Sequence, residues 1–144
     1  MLHSFGSDFD GAFPNKNLLL SRGVLYGTTQ IGGNPGLGAV FQAAWVNGQW
    51  TESVIFNFAR FPDPNLPRGG LVLDSAGNLH GTCEAGGNLC PGGGCGTIFE
   101  LSPPAAPGGA WQQSTLYRFT GGKDGAYPLS GLYLDRAGNL YGTN

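Results

Sequence analysis

The sequence Gly-Leu-Val-Leu-Asp-Ser-Ala-Gly-Asn-Leu-His-Gly-Thr at residues 70–82 recurs at residues 131–143 as Gly-Leu-Tyr-Leu-Asp-Arg-Ala-Gly-Asn-Leu-Tyr-Gly-Thr. A shorter version that ends in Leu-Tyr-Gly-Thr occupies residues 17–28. Each version contains a short apolar run, a turn that carries Gly, and a second apolar run, which is the pattern of a β-hairpin. Because this hairpin occurs three times, the sequence predicts a repeat architecture.

The repeat extends beyond the hairpin in both directions. Its copies begin at Phe5, Phe58 and Phe119, which are 53 and 61 residues apart. Fixed steps from each Phe reach the same residue types, namely Asp10, Asp63, Asp124, Pro14, Pro67, Pro128, Leu18, Leu71 and Leu132. The length differences fall in Gly- and Pro-rich stretches, as is typical of surface loops. We therefore predict a single repeat array over 1–144, with copies at 1–52, 53–113 and a partial copy at 114–144.

One complete copy predicts four short strands and no helix. Alternating or β-branched segments lie at 53–58, 70–73, 78–82 and 96–101, and turn residues bound each of them. Four antiparallel strands in about 50 residues are typical of a β-propeller blade. The predicted fold is therefore all-β, a propeller-type repeat array of about 2.75 four-stranded blades. A β-solenoid is the alternative architecture.

Several of these strings resemble a known family. The hairpin strings at 23–29, 77–82 and 138–143 are similar to the GloVer tandem repeat of bacterial extracellular proteins, as are Gly-Ala-Val-Phe at 38–41 and the Asp-Gly-Ala-aromatic-Pro loops at 10–14 and 124–128. The resemblance implies a secreted, propeller-like array that is often anchored to the cell surface, and it implies no catalytic residues. The first copy departs from the pattern at Ser21 and Val24, and the second has Asp-Pro-Asn-Leu-Pro at 63–67.

The two ends of the array carry the apolar residues of ordinary repeat strands. Segments 1–5 and 140–144 are both expected to be strands, and neither has the composition of a polar cap. Uncovered blade faces and sheet edges favour association. We therefore expect either a piece of a longer protein or a homo-oligomer in which copies complete one another. Segment 1–5 also lacks the pattern of a signal peptide, so an export signal is expected outside this sequence.

Composition limits the classes of partner. The net charge is −2, and charged residues make up only 11% of the chain. A protein without a basic patch is a poor partner for nucleic acid or for an anionic membrane surface. No apolar run approaches the roughly 18 residues of a membrane-spanning helix. The sequence thus predicts neither a nucleic-acid partner nor a membrane span.

All three cysteines lie in the second copy. Cys90 and Cys95 flank Pro-Gly-Gly-Gly in a loop insertion, which suits a local disulfide in an oxidising compartment. The alternative is a zinc set made of these two cysteines with His80 and Cys83. His80 and Cys83 are three positions apart on one strand, so their side chains should point to opposite faces. We predict the disulfide, a small buried Cys83 and no metal site.

Catalytic motifs such as Gly-x-Ser-x-Gly, His-Glu-x-x-His and the phosphate-binding Gly-x-x-x-x-Gly-Lys are absent from the sequence. His80 takes the position of Tyr26 and Tyr141, which indicates a packing role. Glu84 is the catalytic candidate, because it could meet the repeat aspartates near one rim of a ring. Turn capping is the simpler role of those aspartates.

Recurring aromatic residues are the main binding candidates. Phe13 and Tyr127 occupy the same loop position in two copies, and Trp50 and Trp111 precede the strand that opens the next copy. Large rigid rings can stack on sugars or on a partner's apolar side chains. The alternative role is to wedge adjacent blades.

Repeat aspartates are the remaining binding candidates. Asp10 and Asp124 lie in the loops that carry Phe13 and Tyr127. Together with Asp8 and nearby carbonyls they could hold Ca2+, although a twelve-residue calcium loop is absent. Ca2+ is the one cofactor that these residues suggest.

The sequence as a whole predicts an extracellular or cell-surface module that binds carbohydrate or a surface protein and associates with itself. The alternative function is that of a hydrolase or lyase acting on a polysaccharide-type polymer through carboxylates at the propeller mouth.

Overall fold

A computed structural model describes residues 2–6, 10–60 and 62–144, which form β-strands and no helix. The strands are β1 (Ala12–Pro14), β2 (Leu19–Ser21), β3 (Val24–Ile31), β4 (Ala39–Val46), β5 (Gln49–Asn57), β6 (Asn65–Pro67), β7 (Val72–Leu73), β8 (Leu79–Ala85), β9 (Thr97–Ser102), β10 (Gln112–Arg118), β11 (Tyr133–Leu134) and β12 (Leu140–Tyr141). The predicted all-β class is confirmed.

The strands form two similar antiparallel sheets and a third hairpin. In the first sheet β3 pairs with β4 and β4 with β5, while β1 and β2 pair with opposite halves of β3. The second sheet repeats this order, with β6 and β7 on β8, followed by β9 and β10. β11 and β12 form the third sheet. Within the described ranges, none of the sheets closes on itself.

One aspartate fixes the hairpin of the second copy and another fixes that of the third, whereas the first copy has Ser21 there. The Asp74 carboxylate accepts the N–H groups of Ala76 and Asn78 at 2.9 and 2.8 Å, and Asp135 does the same in the third copy. Gly77 and Gly138 have φ values of 93° and 89°. The sequence predicted this turn: an aspartate whose side chain accepts backbone N–H groups two and four residues later, followed by a glycine at positive φ.

Each sheet ends with the strand that opens the next copy of the sequence. Residues 53–57 lie in β5 and pair with β4, and residues 114–118 lie in β10 and pair with β9. The chain then crosses to the next sheet at Phe58 and Phe119, whose N–H groups donate to the carbonyls of Gly38 and Gly96 at 3.0 and 3.1 Å. The boundary between sheets is therefore offset from the boundary between sequence copies.

This crossing builds the core. Phe58 leaves the first sheet and packs edge-on against Phe99 of the second, with ring centroids 5.0 Å apart, and both are fully buried. Phe5 packs against Phe41 in a tilted arrangement, with ring centroids 4.7 Å apart. Full burial of such a side chain is worth about 1.5–3 kcal/mol. The buried cluster contains Val40, Phe58, Leu71, Leu79, Cys83, Phe99 and Leu101.

Backbone hydrogen bonds join each sheet to the next. The Leu66 N–H donates to the Leu37 carbonyl at 2.9 Å, and the Tyr127 N–H donates to the Cys95 carbonyl at 2.8 Å. These donors occupy the same position in two copies. The sheets therefore contact one another through a repeated geometry.

Proline packs against glycine at the same junctions. Pro67 and Pro128 are fully buried, whereas Phe13 and Tyr127, which precede prolines in the same loop position, are exposed. A Cβ added to Gly38 or Gly96 would lie 2.5 or 2.4 Å from the Cδ atom of the facing proline. At this loop position, the ring that wedges between adjacent sheets is therefore the proline and not the aromatic residue before it.

One expected strand is not formed. Residues 2–6 lie outside any strand, although segment 1–5 has a repeat-strand sequence; Met1 lies outside the described residues. Phe5 keeps its contact with Phe41 without a strand partner for its backbone. Among the described residues there is no helix long and apolar enough to cross a membrane.

Candidate functional site

The strand directions give the sheets two ends. The hairpin end carries the turns at 21–24, 74–78 and 135–139, and the loop end carries the longer connections at 32–38 and 86–96. Trp50 begins β5 and Trp111 precedes β10, so both lie at the hairpin end. The other predicted site residues lie at the loop end, namely Phe13, Tyr127, Asp10, Asp124 and Glu84. The structure thus divides the predicted residues between two surfaces.

The two aromatic residues that the sequence placed in loops are exposed on a backbone of positive φ; Phe13 lies in β1 and Tyr127 lies outside any strand. Phe13 is 68% exposed and Tyr127 53% exposed, and both have φ values of 55°. Leu66 takes the same position in the second copy with φ 56°. A left-handed conformation costs a bulky residue about 1–2 kcal/mol, and the buried proline that follows holds it in place in the second and third copies.

Asp124 organises the loop that carries Tyr127. Its carboxylate accepts the Thr120 N–H at 3.0 Å and the Tyr117 hydroxyl at 2.9 Å, and it also accepts the Thr120 hydroxyl. These hydrogen bonds, the one from the Thr120 hydroxyl above all, lower the pKa of Asp124 to about 2. Asp10 contacts His3 at 3.1 Å, and Asp8 lies outside the described residues.

Glu84 forms an ion pair rather than a carboxylate cluster. Its Oε2 atom lies 2.5 Å from Nε of Arg68. Asp10 and Asp124 have the separate partners given above. The backbone carbonyl of Asp63 accepts a hydrogen bond from the side-chain amide of Asn65. Glu84 is therefore paired with Arg68 and is not brought together with the repeat aspartates.

A cleft lies at the hairpin end between the first two sheets. Its volume is about 360 Å3, and its lining includes Arg22, Tyr26, Asp74, Pro103 and Trp111. The Tyr26 and Trp111 rings meet edge to face with centroids 6.4 Å apart. The cleft therefore combines an aromatic wall with one cationic and one anionic side chain.

Trp50 lies away from this cleft. It packs against Trp45 on the outer hairpin of the first sheet, with ring centroids 5.9 Å apart, and Trp45 is largely exposed. The two recurring tryptophans thus have different surroundings, and Trp111 alone of the pair lines the cleft.

The predicted cysteine pairing is present. The Sγ atoms of Cys90 and Cys95 are at bonding distance, with Cα atoms 5.4 Å apart, and Cys83 is free and buried. Burial raises the pKa of the Cys83 thiol well above its ordinary value, against a smaller opposing effect of Thr97. The alternative zinc set is not assembled, because two of its cysteines are bonded to each other.

His80 instead lies between two carboxylates that the sequence reading missed. Its Nε2 atom is 3.2 Å from Asp74 Oδ2, and its Nδ1 atom is 3.8 Å from Glu100 Oε2. Two differences between the sequence copies could have revealed this contact. His80 and Glu100 face each other across β8 and β9, whereas Tyr26 and Gln42 occupy the corresponding positions of the first sheet. The sequence predicted a packing role for His80 and gave the cysteines as its alternative partners, so this cross-strand neighbour was missed.

Comparison with protein-family models gives one match. The family described as the Gloeobacter/Verrucomicrobia repeat matches residues 1–144. The resemblance drawn from the hairpin strings is thereby confirmed. No curated protein and no solved structure matches the chain.

Proposed function

Because the chain belongs to the Gloeobacter/Verrucomicrobia repeat family, we propose that it is an extracellular repeat module that binds carbohydrate in the cleft between its first two sheets. The main support for this function is the cleft, which is lined by the Tyr26–Trp111 ring pair together with Arg22 and Asp74. Repeat domains of this kind serve as structural or binding modules, and the cleft is where this chain offers aromatic and charged side chains together.

The chemistry of the cleft suits a sugar. Aromatic rings offer large rigid faces for the apolar side of a pyranose, and the indole N–H and phenol O–H remain available for its hydroxyls. The Arg22 guanidinium supplies several donors for the same hydroxyls. A volume of about 360 Å3 also lies within the usual range of about 300–1,000 Å3 for small-ligand sites.

A propeller-type arrangement of about 2.75 blades is part of the same proposal. It is supported by the repeated junction, in which Phe58 packs on Phe99 and the N–H groups of Leu66 and Tyr127 bond to the preceding sheet. The Cys90–Cys95 pair supports an oxidising, extracellular location.

A further copy of the repeat is proposed to cover the third sheet. Leu129, Tyr133 and Tyr141 are more than half exposed there, and large exposed apolar surfaces favour association. Light scattering at micromolar concentration is expected to give a mass above the 15.0 kDa of one chain. A monodisperse monomer would contradict self-association and would leave the cleft proposal unaffected.

Binding to a panel of soluble glycans tests the cleft. Trp111→Ala is expected to weaken binding of the best glycan by about tenfold or more, since loss of one stacking ring costs about 1.4 kcal/mol or more. Arg22→Ala changes an exposed side chain of the same cleft and should weaken binding with little change in melting temperature. Trp50→Ala is the matched control and should bind like the unchanged chain.

Three outcomes would redirect the assignment. If Trp50→Ala and Trp111→Ala weaken glycan binding equally, the cleft is not the binding site. Loss only in Phe13→Ala and Tyr127→Ala would favour a surface partner at the loop end. Release of glycan products that stops in Glu84→Gln would favour the polymer-cleaving hydrolase or lyase instead.

A further inference from the structure

A buried imidazole faces two carboxylates at the hairpin end of the second sheet. The His80 side chain is only 7% exposed, and its Nε2 atom is hydrogen-bonded to Asp74 at 3.2 Å. Its Nδ1 atom is buried and has no hydrogen-bond partner in the part of the chain that the structure describes. A neutral imidazole has one N–H and one lone pair, so an Nε2–H that donates to Asp74 leaves a buried lone pair at Nδ1.

That lone pair is close to a negative charge. Glu100 Oε2 lies 3.8 Å from Nδ1, and Glu100 Oε1 accepts the Ser102 hydroxyl at 3.3 Å. A buried lone pair beside a carboxylate is unfavourable unless a cation lies between them. One ligand atom from each of Asp74, His80 and Glu100 can be chosen so that all three are within 4.8 Å of one another.

We propose that His80 and Glu100 bind a divalent transition-metal ion of the zinc type, with Asp74 orienting the imidazole. Two ligands at about 2.1 Å from a tetrahedral ion are about 3.4 Å apart, so the 3.8 Å separation needs only a small adjustment. Imidazole and carboxylate are both common zinc ligands. A carboxylate that accepts the other imidazole N–H fixes the ring orientation and raises the basicity of the ligating nitrogen.

The other copies lack this donor set at the same positions. Tyr26 faces Gln42 in the first sheet, and neither side chain is a zinc ligand of the ordinary kind. Tyr141 takes the His80 position in the third copy, where its hydroxyl donates to Asp135 at 3.1 Å. A tyrosine therefore satisfies the packing and the hydrogen bond to the aspartate. Packing alone gives no reason for an imidazole and a carboxylate to face each other in the second copy.

Calorimetric titration of the full chain with ZnCl2 tests the site. The titration is done without reductant, so that Cys90 and Cys95 stay bonded to each other. The unchanged chain is expected to bind one equivalent of Zn2+ and to melt at a higher temperature when zinc is present. Because zinc alone is the probe, the result is independent of any ligand in the cleft.

The matched variants take their residues from the other copies. His80→Tyr and Glu100→Gln introduce the residues found at the corresponding positions of the first copy, so both should fold. Each is expected to weaken zinc binding about tenfold or more and to abolish the rise in melting temperature. His3→Gln removes the only other histidine and should leave binding unchanged.

Several results would overturn the metal site. The site is contradicted if the chain without substitutions binds no zinc, or if folded His80→Tyr binds zinc as tightly as that chain does. It is also contradicted if His3→Gln loses zinc binding. The last of these would show that zinc binds the pair formed by His3 and Asp10 instead.

Discussion

Two glycines at positive φ have different surroundings. Gly96 and Gly138 have φ values of 92° and 89°, yet only Gly96 faces a close neighbour, at 2.4 Å from an added Cβ to Pro128 Cδ. Gly138→Ala should lower the free energy of unfolding by about 1 kcal/mol, the backbone cost alone. Gly96→Ala should lower it by about 3 kcal/mol or more, because the junction must also move. Urea denaturation measures both, and equal losses would argue against a tight junction at Gly96.

The Cys83 thiol is shielded from solvent. It is fully buried within the core cluster, and burial raises its pKa well above the ordinary value, so the reactive thiolate is scarce. Iodoacetamide should leave Cys83 unlabelled in the folded protein and label it once the protein is denatured. Peptide mapping without reductant should recover Cys90 linked to Cys95. Rapid labelling of Cys83 in folded material would contradict its place in the core.

At the scale of the element, the loop between β10 and Pro128 depends on one charged group. Hydrogen bonds led by the Thr120 hydroxyl lower the pKa of Asp124 to about 2 from its ordinary 3.8. A lowered pKa means that Asp124 stabilises the fold above about pH 4 and that this contribution is lost as pH falls towards about 2. The melting temperature of the unchanged chain should therefore fall more steeply over this interval than that of Asp124→Asn. If the melting temperatures of both proteins fall in parallel with pH, the Asp124 carboxylate does not stabilise the loop.

At the scale of the whole molecule, the junctions make two sheets into one structure. The Asn15 side-chain amide donates to Thr28 Oγ1 at 2.7 Å and to the Pro67 carbonyl at 2.9 Å, so one residue bridges both sheets. Asn15→Ala should destabilise the fold by about 1–3 kcal/mol, because a partly buried carbonyl loses its donor. Gln42→Ala is the control, since the Gln42 amide donates to Ser53 Oγ within the first sheet, at 3.2 Å.

Urea denaturation of both variants gives the comparison. Gln42→Ala should lose less than about 1 kcal/mol, as expected of an exposed hydrogen bond. If the two variants lose the same stability, the bridge across the junction contributes nothing beyond an ordinary surface contact.

Features that depend on near neighbours along the chain can be predicted from the sequence. The turn at Asp74 and Gly77 requires only a few adjacent residues. The alternation of polar and apolar residues along 53–58 predicts a strand, whichever strand it pairs with. The Cys90–Cys95 pairing is equally local, because the two cysteines are only five positions apart in the sequence. Repetition of the whole unit then fixed the all-β class, since each copy must satisfy the same backbone requirements.

Contacts between residues that are distant in the sequence depend on the register of the folded strands. Strand 53–58 could pair with either sheet by its sequence, and its register on β4 places Phe58 in the core of the next sheet. The register of β8 on β9 likewise sets His80 opposite Glu100, a partner twenty residues away. The physical reason is that strand pairing joins residues by register, which depends on packing across the whole sheet and cannot be read from a short stretch of sequence.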